Sequence, residues 1–115
     1  FEGNDLIKAP NGVLVLDDSK LLIVDWAGDL LEGDLQSQDI KKLGEGFEGA
    51  DGLAIKQDTI YISSWIKGTI YSFKNGKTKV IADGFEAAAD IALVHDNKFL
   101  VVPDMKAGTV TFIGI

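Results

Sequence analysis

Three observations predict an all-β chain built from propeller-type blades. One pattern is written three times. Pro10-Asn11-Gly12-Val13-Leu14-Val15-Leu16 leads to Leu21-Leu22-Ile23-Val24-Asp25-Trp26. Ala50-Asp51-Gly52-Leu53-Ala54-Ile55-Lys56 leads to Thr59-Ile60-Tyr61-Ile62-Ser63-Ser64-Trp65, and Ala89-Asp90-Ile91-Ala92-Leu93-Val94 leads to Phe99-Leu100-Val101-Val102-Pro103-Asp104-Met105. Asn11 and Asp51 stand 40 positions apart, Asp51 and Asp90 39. Short strands recurring at that period are a blade signal. Second, no segment of helical length carries apolar residues at 3.6 spacing. Third, the first strand of each repeat is a nearly continuous apolar run, the third alternates and the fourth is the most polar. That gradient is what a blade radiating from a buried centre requires.

The repeats divide a single segment, 1–115, at about 9–46, 47–84 and 85–115. Repeat one has strands at Gly12–Leu16, Leu21–Asp25, about Asp29–Leu35 and about Asp39–Leu43, with Asp17-Asp18-Ser19-Lys20 as a polar turn. Gly44-Glu45-Gly46 then releases the chain; no helix follows it, so it is no phosphate cradle. Repeat two has strands at Gly52–Lys56, Thr59–Ser63, Thr69–Lys74 and Lys77–Ala82. Asn75-Gly76 joins the last two, the dipeptide of type I′ hairpins, where both central residues need φ > 0. Repeat three has Ile91–Val94, Lys98–Val102 and Thr109–Ile113, and lacks the fourth strand. Phe1-Glu2-Gly3 is expected to be the tail of an outer strand. Leu6-Ile7, Phe47 and Phe85 are expected to plug the loop that leads into each blade.

Blades stack only on neighbours, so an open array exposes apolar faces at both ends. Rings commonly hold ~4–8 blades. Three repeats are therefore expected to be part of a larger ring, completed by a second copy of the chain or by a missing N-terminal half. The chain starts at Phe1 rather than Met and no signal-like segment follows, as in a mature form, a fragment or a trimmed chain.

Composition excludes several functions. The net charge is −7 and every basic residue is lysine, which argues against nucleic acid as a partner. No apolar run approaches the ~18–20 residues of a membrane helix, so no membrane partner is expected. With no cysteine there is no disulfide framework and no thiol chemistry. The compartment is left open, periplasmic, secreted or cytoplasmic.

The first two strands of a repeat are antiparallel, so the start of one and the end of the other share one face of the disc. Asn11, Asp51 and Asp90 stand at the entrance of the first strands, next to the axis. Asp25, Ser64 and Asp104 stand at the exit of the second strands, and Trp26, Trp65 and Met105 follow on the loops above. Converging oxygen ligands suit Ca²⁺ or Mg²⁺, and carboxylate–amide sets also accept Mn²⁺ or Zn²⁺. One reading is a divalent cation held by Asn11, Asp51 and Asp90, with Asp25 or Asp104 as a base. The other is turn capping, in which Asp and Asn bond their own backbone. At Trp26, Trp65 and Met105 the alternatives are a rim around a ligand and packing between blades. His95, the only histidine, lies in a turn on the opposite face.

Pro10-Asn11-Gly12-Val13 with Ile23-Val24-Asp25-Trp26, and Ala50-Asp51-Gly52-Leu53-Ala54 with Ile60–Trp65 and Gly68-Thr69-Ile70-Tyr71, resemble the senescence marker protein/gluconolactonase family of regucalcin-like propellers. NHL-repeat and strictosidine-synthase-like propellers share much of the pattern. The resemblance covers essentially the whole chain and implies half of a six-bladed propeller. Many members bind a divalent cation at the axis through a Glu, two Asn and an Asp, and several hydrolyse sugar lactones or related esters. Asn11 is similar to the family's second Asn, and Asp51 to its Asp, the general base proposed for the lactonases. The Glu and the first Asn would lie upstream, and Ile91 follows Asp90 where the pattern has Gly. The implied function is a metal-dependent hydrolase of a sugar lactone or ester, with Asp51 as catalytic base and Asp25, Ser64, Asp104, Trp26, Trp65 and Met105 shaping the substrate mouth. The alternative is a non-catalytic propeller half, a ligand- or protein-binding module or a self-assembling scaffold.

Overall fold

The computed structural model describes all 115 residues. It is all-β, with eleven strands in three antiparallel sheets and no helix. Blade 1 is β1 (Pro10–Val15), β2 (Lys20–Asp25), β3 (Leu30–Asp34) and β4 (Ile40–Gly44), in that order across the sheet. Blade 2 is β5 (Ala50–Lys56), β6 (Thr59–Ser64), β7 (Thr69–Lys74) and β8 (Lys77–Ala82), and blade 3 is β9 (Ala92–Val94), β10 (Phe99–Asp104) and β11 (Thr109–Gly114). The array is not closed into a ring.

Local chemistry sets the turns. Asn75 and Gly76 take φ of 52° and 75°, the paired positive values of a type I′ hairpin. The β5–β6 turn is equally short, because Lys56 pairs Thr59. In blade 3 Val94 pairs Phe99, and His95, Asp96 and Asn97 all adopt positive φ to span the longer turn. Phe1-Glu2-Gly3 departs from expectation. It forms a turn, not a strand, because no third strand of a further blade lies beside it to pair with.

Alternation along each strand puts one set of side chains on each face of a blade. Leu22, Val24 and Leu30 of blade 1 meet Leu53, Ile62 and Tyr71 of blade 2, around the fully buried Phe47. Phe47 meets Tyr71 and Phe73 edge to face, at 5.2 and 6.1 Å. Ala54, Tyr61 and Ile70 of blade 2 meet Ile91, Leu100 and Val102 of blade 3. Phe85 packs on that second cluster as Phe47 does in the first, so these two expected plugs sit between blades, whereas Leu6 and Ile7 are half-buried and belong to neither cluster. The other face of blade 1 is an end face. Ile23 and Leu31 lie on it and are buried without belonging to either inter-blade cluster. Phe1 lies beside them, its ring against Gly33 where blade 2 carries Phe73.

Backbone approach at the inner strands is glycine-dependent. A Cβ on Gly12 would lie 2.5 Å from the Asp51 carbonyl oxygen, and one on Gly52 2.7 Å from the Asp90 Cα. These glycines let consecutive inner strands crowd together near the axial end.

Candidate functional site

At the axial end of the inner strands Asn11 meets Ala50, next to Asp51, and Asp51 feels the charge of Asp90. Asn11 Nδ2 donates to the Ala50 carbonyl at 3.0 Å, which joins blade 1 to blade 2 and leaves the amide oxygen free as an acceptor. Ser63 links the next pair. Its hydroxyl accepts from Gly52 N–H at 2.9 Å and donates to the Ala89 carbonyl at 2.6 Å. Asp51 is half-buried. Burial pushes its carboxyl above the ordinary aspartate range, and the negative charge of Asp90 adds to the push.

The column is not evenly stepped. Trp26, Trp65 and Met105 N–H groups bond the carbonyls of Ala9, Gly49 and Ala87. Counting forward from those carbonyls, Asn11 and Asp51 are matched by Ala89, and Asp90 falls at the place of Gly12 and Gly52. The sequence spacing of 39 thus hides a structural spacing of 38, which the longer turn after Val94 restores further on. Asp90 still reaches back, and its Oδ1 lies 2.8 Å from where a Gly52 Cβ would stand.

Asp25, Ser64 and Asp104 occupy equivalent positions and act as clasps. Asp25 is fully buried. It accepts from Lys8 N–H at 2.8 Å, from Ala9 N–H at 2.9 Å and from Ala27 N–H at 2.9 Å. Asp104 accepts from Glu86, Ala87 and Ala107 N–H at 2.8, 3.0 and 3.0 Å. Each carboxylate ties the loop entering its blade to the loop leaving its second strand. Ser64 does the same without charge, donating to the Glu48 carbonyl at 2.7 Å and accepting from Lys67 N–H at 3.1 Å. Burial pushes both carboxyls up, but the N–H donors outweigh it and hold them below the ordinary range. Their lone pairs point into the loops and are spent on backbone donors.

The rim is aromatic. Trp26 and Trp65 sit 6.1 Å apart, tilted by 45°. Lys106 Nζ stands 4.6 Å over the Trp65 ring, a cation–π contact that extends the row to blade 3. Met105 itself points to solvent and is 68% exposed. Sequence reasoning missed Lys106 and Ser63; lysine after a rim methionine and a second serine in a pair carry no local signal of these contacts.

No group of three or more His, Cys, Asp or Glu side chains comes together to hold an ion. Asn11, Asp51 and Asp90 offer two carboxylates and an amide oxygen, fewer than the ~6 oxygens Ca²⁺ takes. The donor types fit a hard divalent cation, and the number fits part of its shell. Neither a family model nor a curated protein matches the chain.

Proposed function

We propose that the chain is half of a six-bladed propeller whose axial face is a metal-dependent hydrolase site for a sugar lactone or ester. The observation that carries the reading is the closeness of the Asp51 and Asp90 charges at the axial end, with Asn11 tied to the Ala50 carbonyl next to Asp51. The Asp51 charge, which burial disfavours and the neighbouring Asp90 charge opposes, gains from a counterion shared between the two. Asn11, Asp51 and Asp90 would contribute to holding Ca²⁺, Zn²⁺, Mn²⁺ or Mg²⁺. When bound, such an ion polarises a carbonyl or lowers the pKa of a water. Asp51, with its raised carboxyl pKa, is the group suited to take up a proton there. Trp26 and Trp65 would present apolar faces to a sugar ring, with Asp25 and Asp104 holding the loops that carry them.

The test is a cation titration followed by lactone hydrolysis. Ca²⁺, Mn²⁺ or Zn²⁺ is expected to raise Tm, and Asn11→Ala with Asp51→Ala to abolish that shift. No shift with any of the ions sinks the metal reading. Hydrolysis that survives Asp51→Ala removes the base.

A second reading, a non-catalytic ligand-binding module, is favoured by the Trp26–Trp65–Lys106 row. It needs no ion and uses only side chains that the loops already hold in place. Saccharide binding that persists in chelator and disappears in Trp65→Ala selects it over hydrolysis.

A further inference from the structure

We propose that the two ends of the array are the two halves of one joint, which a second copy of this chain closes head to tail, twice. The joints inside the chain are the template. Each is made by one face of a blade meeting the opposite face of the next, with apolar strand residues on both sides. The end face of blade 1 presents Val13 and Val15, 59% and 64% exposed. They stand where Leu53 and Ile55 stand on blade 2, which pack into the first joint. The end face of blade 3 presents Val110 and Phe112, 62% and 55% exposed, above Pro103 and Val101. Val110 stands where Leu30 of blade 1 enters the first joint, and Ala92 where Leu14 does.

Neither end face carries a charge at these positions, although a quarter of the chain is charged. Exposed apolar residues gathered on one sheet face mark contact surfaces. The occupant that matches is another blade, because Val13, Val15, Val110 and Ala92 stand where Leu53, Ile55, Leu30 and Leu14 already pack between blades. A second copy supplies both missing faces at once. Each joint is head to tail, and the two joints are related by a two-fold axis, so the assembly closes when two half-rings meet. Six blades fall inside the ~4–8 that closed rings hold. Closure would also bring a second Asn11, Asp51 and Asp90 across the axis. At the new joint Asp90 stands where Gly12 and Gly52 stand at the others, so the strands there cannot crowd as closely at the axial end.

The inference deepens the completed ring of the proposed function but rests on the blade faces alone, so absence of hydrolysis leaves it intact. Sedimentation of the chain at ~100 μM, well above the micromolar Kd of modest interfaces, is expected to give twice the 12.4 kDa chain mass. Because the chain has no cysteine, Val15→Cys and Ala92→Cys report which faces meet. Under diamide, a mixture of the two variants is expected to form disulfide-linked dimers, and each variant alone none. A monomeric mass, an open polymer series, or cross-linking of either variant alone overturns the proposal. Val110→Glu/Phe112→Glu is expected to give a folded monomer, because both positions are exposed. A dimer that survives it overturns the proposal equally.

Discussion

Gly12 and Asp51 are in such close backbone contact that any side chain on Gly12 must displace the neighbouring strand. A Cβ there would also lie 2.9 Å from Val24 Cγ2, so it is wedged from two sides. Gly12 does not take a positive φ, and the obstacle is therefore steric rather than torsional. Gly12→Ala is expected to destabilise the chain by about 1–3 kcal/mol, the cost of overpacking. Gly52→Ala, facing Asp90 and Ile91, should cost a similar amount. Urea unfolding checks both, and a cost below half a kilocalorie for the pair would mean that the inner strands can part.

The clasps make stability depend on acid. The carboxyls of Asp25 and Asp104 are held below their unfolded values, so their contribution is complete above about pH 4, the ordinary aspartate value, and fades as pH falls through the depressed ones. Asp25→Ala leaves the amides of Lys8, Ala9 and Ala27 without their acceptor and is expected to cost about 2–4 kcal/mol at pH 7. The same substitution should cost much less at pH 2. Denaturant midpoints measured across that range test it.

Asp51 works in the opposite sense. Its folded carboxyl is raised, so the ionised form opposes folding, fully so above the raised value. That penalty is relieved as pH falls toward the unfolded value. Asp51→Asn is therefore expected to stabilise the metal-free chain at pH 7 and to have little effect at pH 3. A midpoint that drops at neutral pH would show that the charge is compensated by a partner.

The Trp26–Trp65 pair gives an optical handle. Rings 6.1 Å apart couple, so the near-ultraviolet circular dichroism should carry a Trp–Trp component. Trp65→Phe is expected to remove it with little change in the β-sheet signal. Lys106→Met should shift the Trp65 emission and leave the fold unchanged, because Lys106 is exposed.

Much of the fold was legible because its signals are local. Leu21–Val24, Ile60–Ile62 and Leu100–Val102 are short apolar runs closed by turn residues, and Asn75-Gly76 names its own turn. The site was harder to read. Asp25 and Asp104 look like exposed acids at strand ends, and only the fold brings Lys8 and Glu86 N–H groups onto them. The place of Asp90 was obscured because repeat three shortens one segment and lengthens the next turn, so two offsets nearly cancel in the count. Phe1 was misread because a strand tail and a ring packed against Gly33 leave the same apolar mark in a sequence.

Ser64 gives the middle blade a property its neighbours lack. Its clasp carries no charge, whereas those of Asp25 and Asp104 do. Blades rely on nearest neighbours, so the loss of a clasp is felt first in the blade that holds it. Acid therefore strikes blades 1 and 3 first. Amides of β6 and β7 should then be the last to exchange as pH falls, and the sequence of loss should run inward from both ends. Blade 2 becomes the kernel on which the other two blades are rebuilt when neutrality returns.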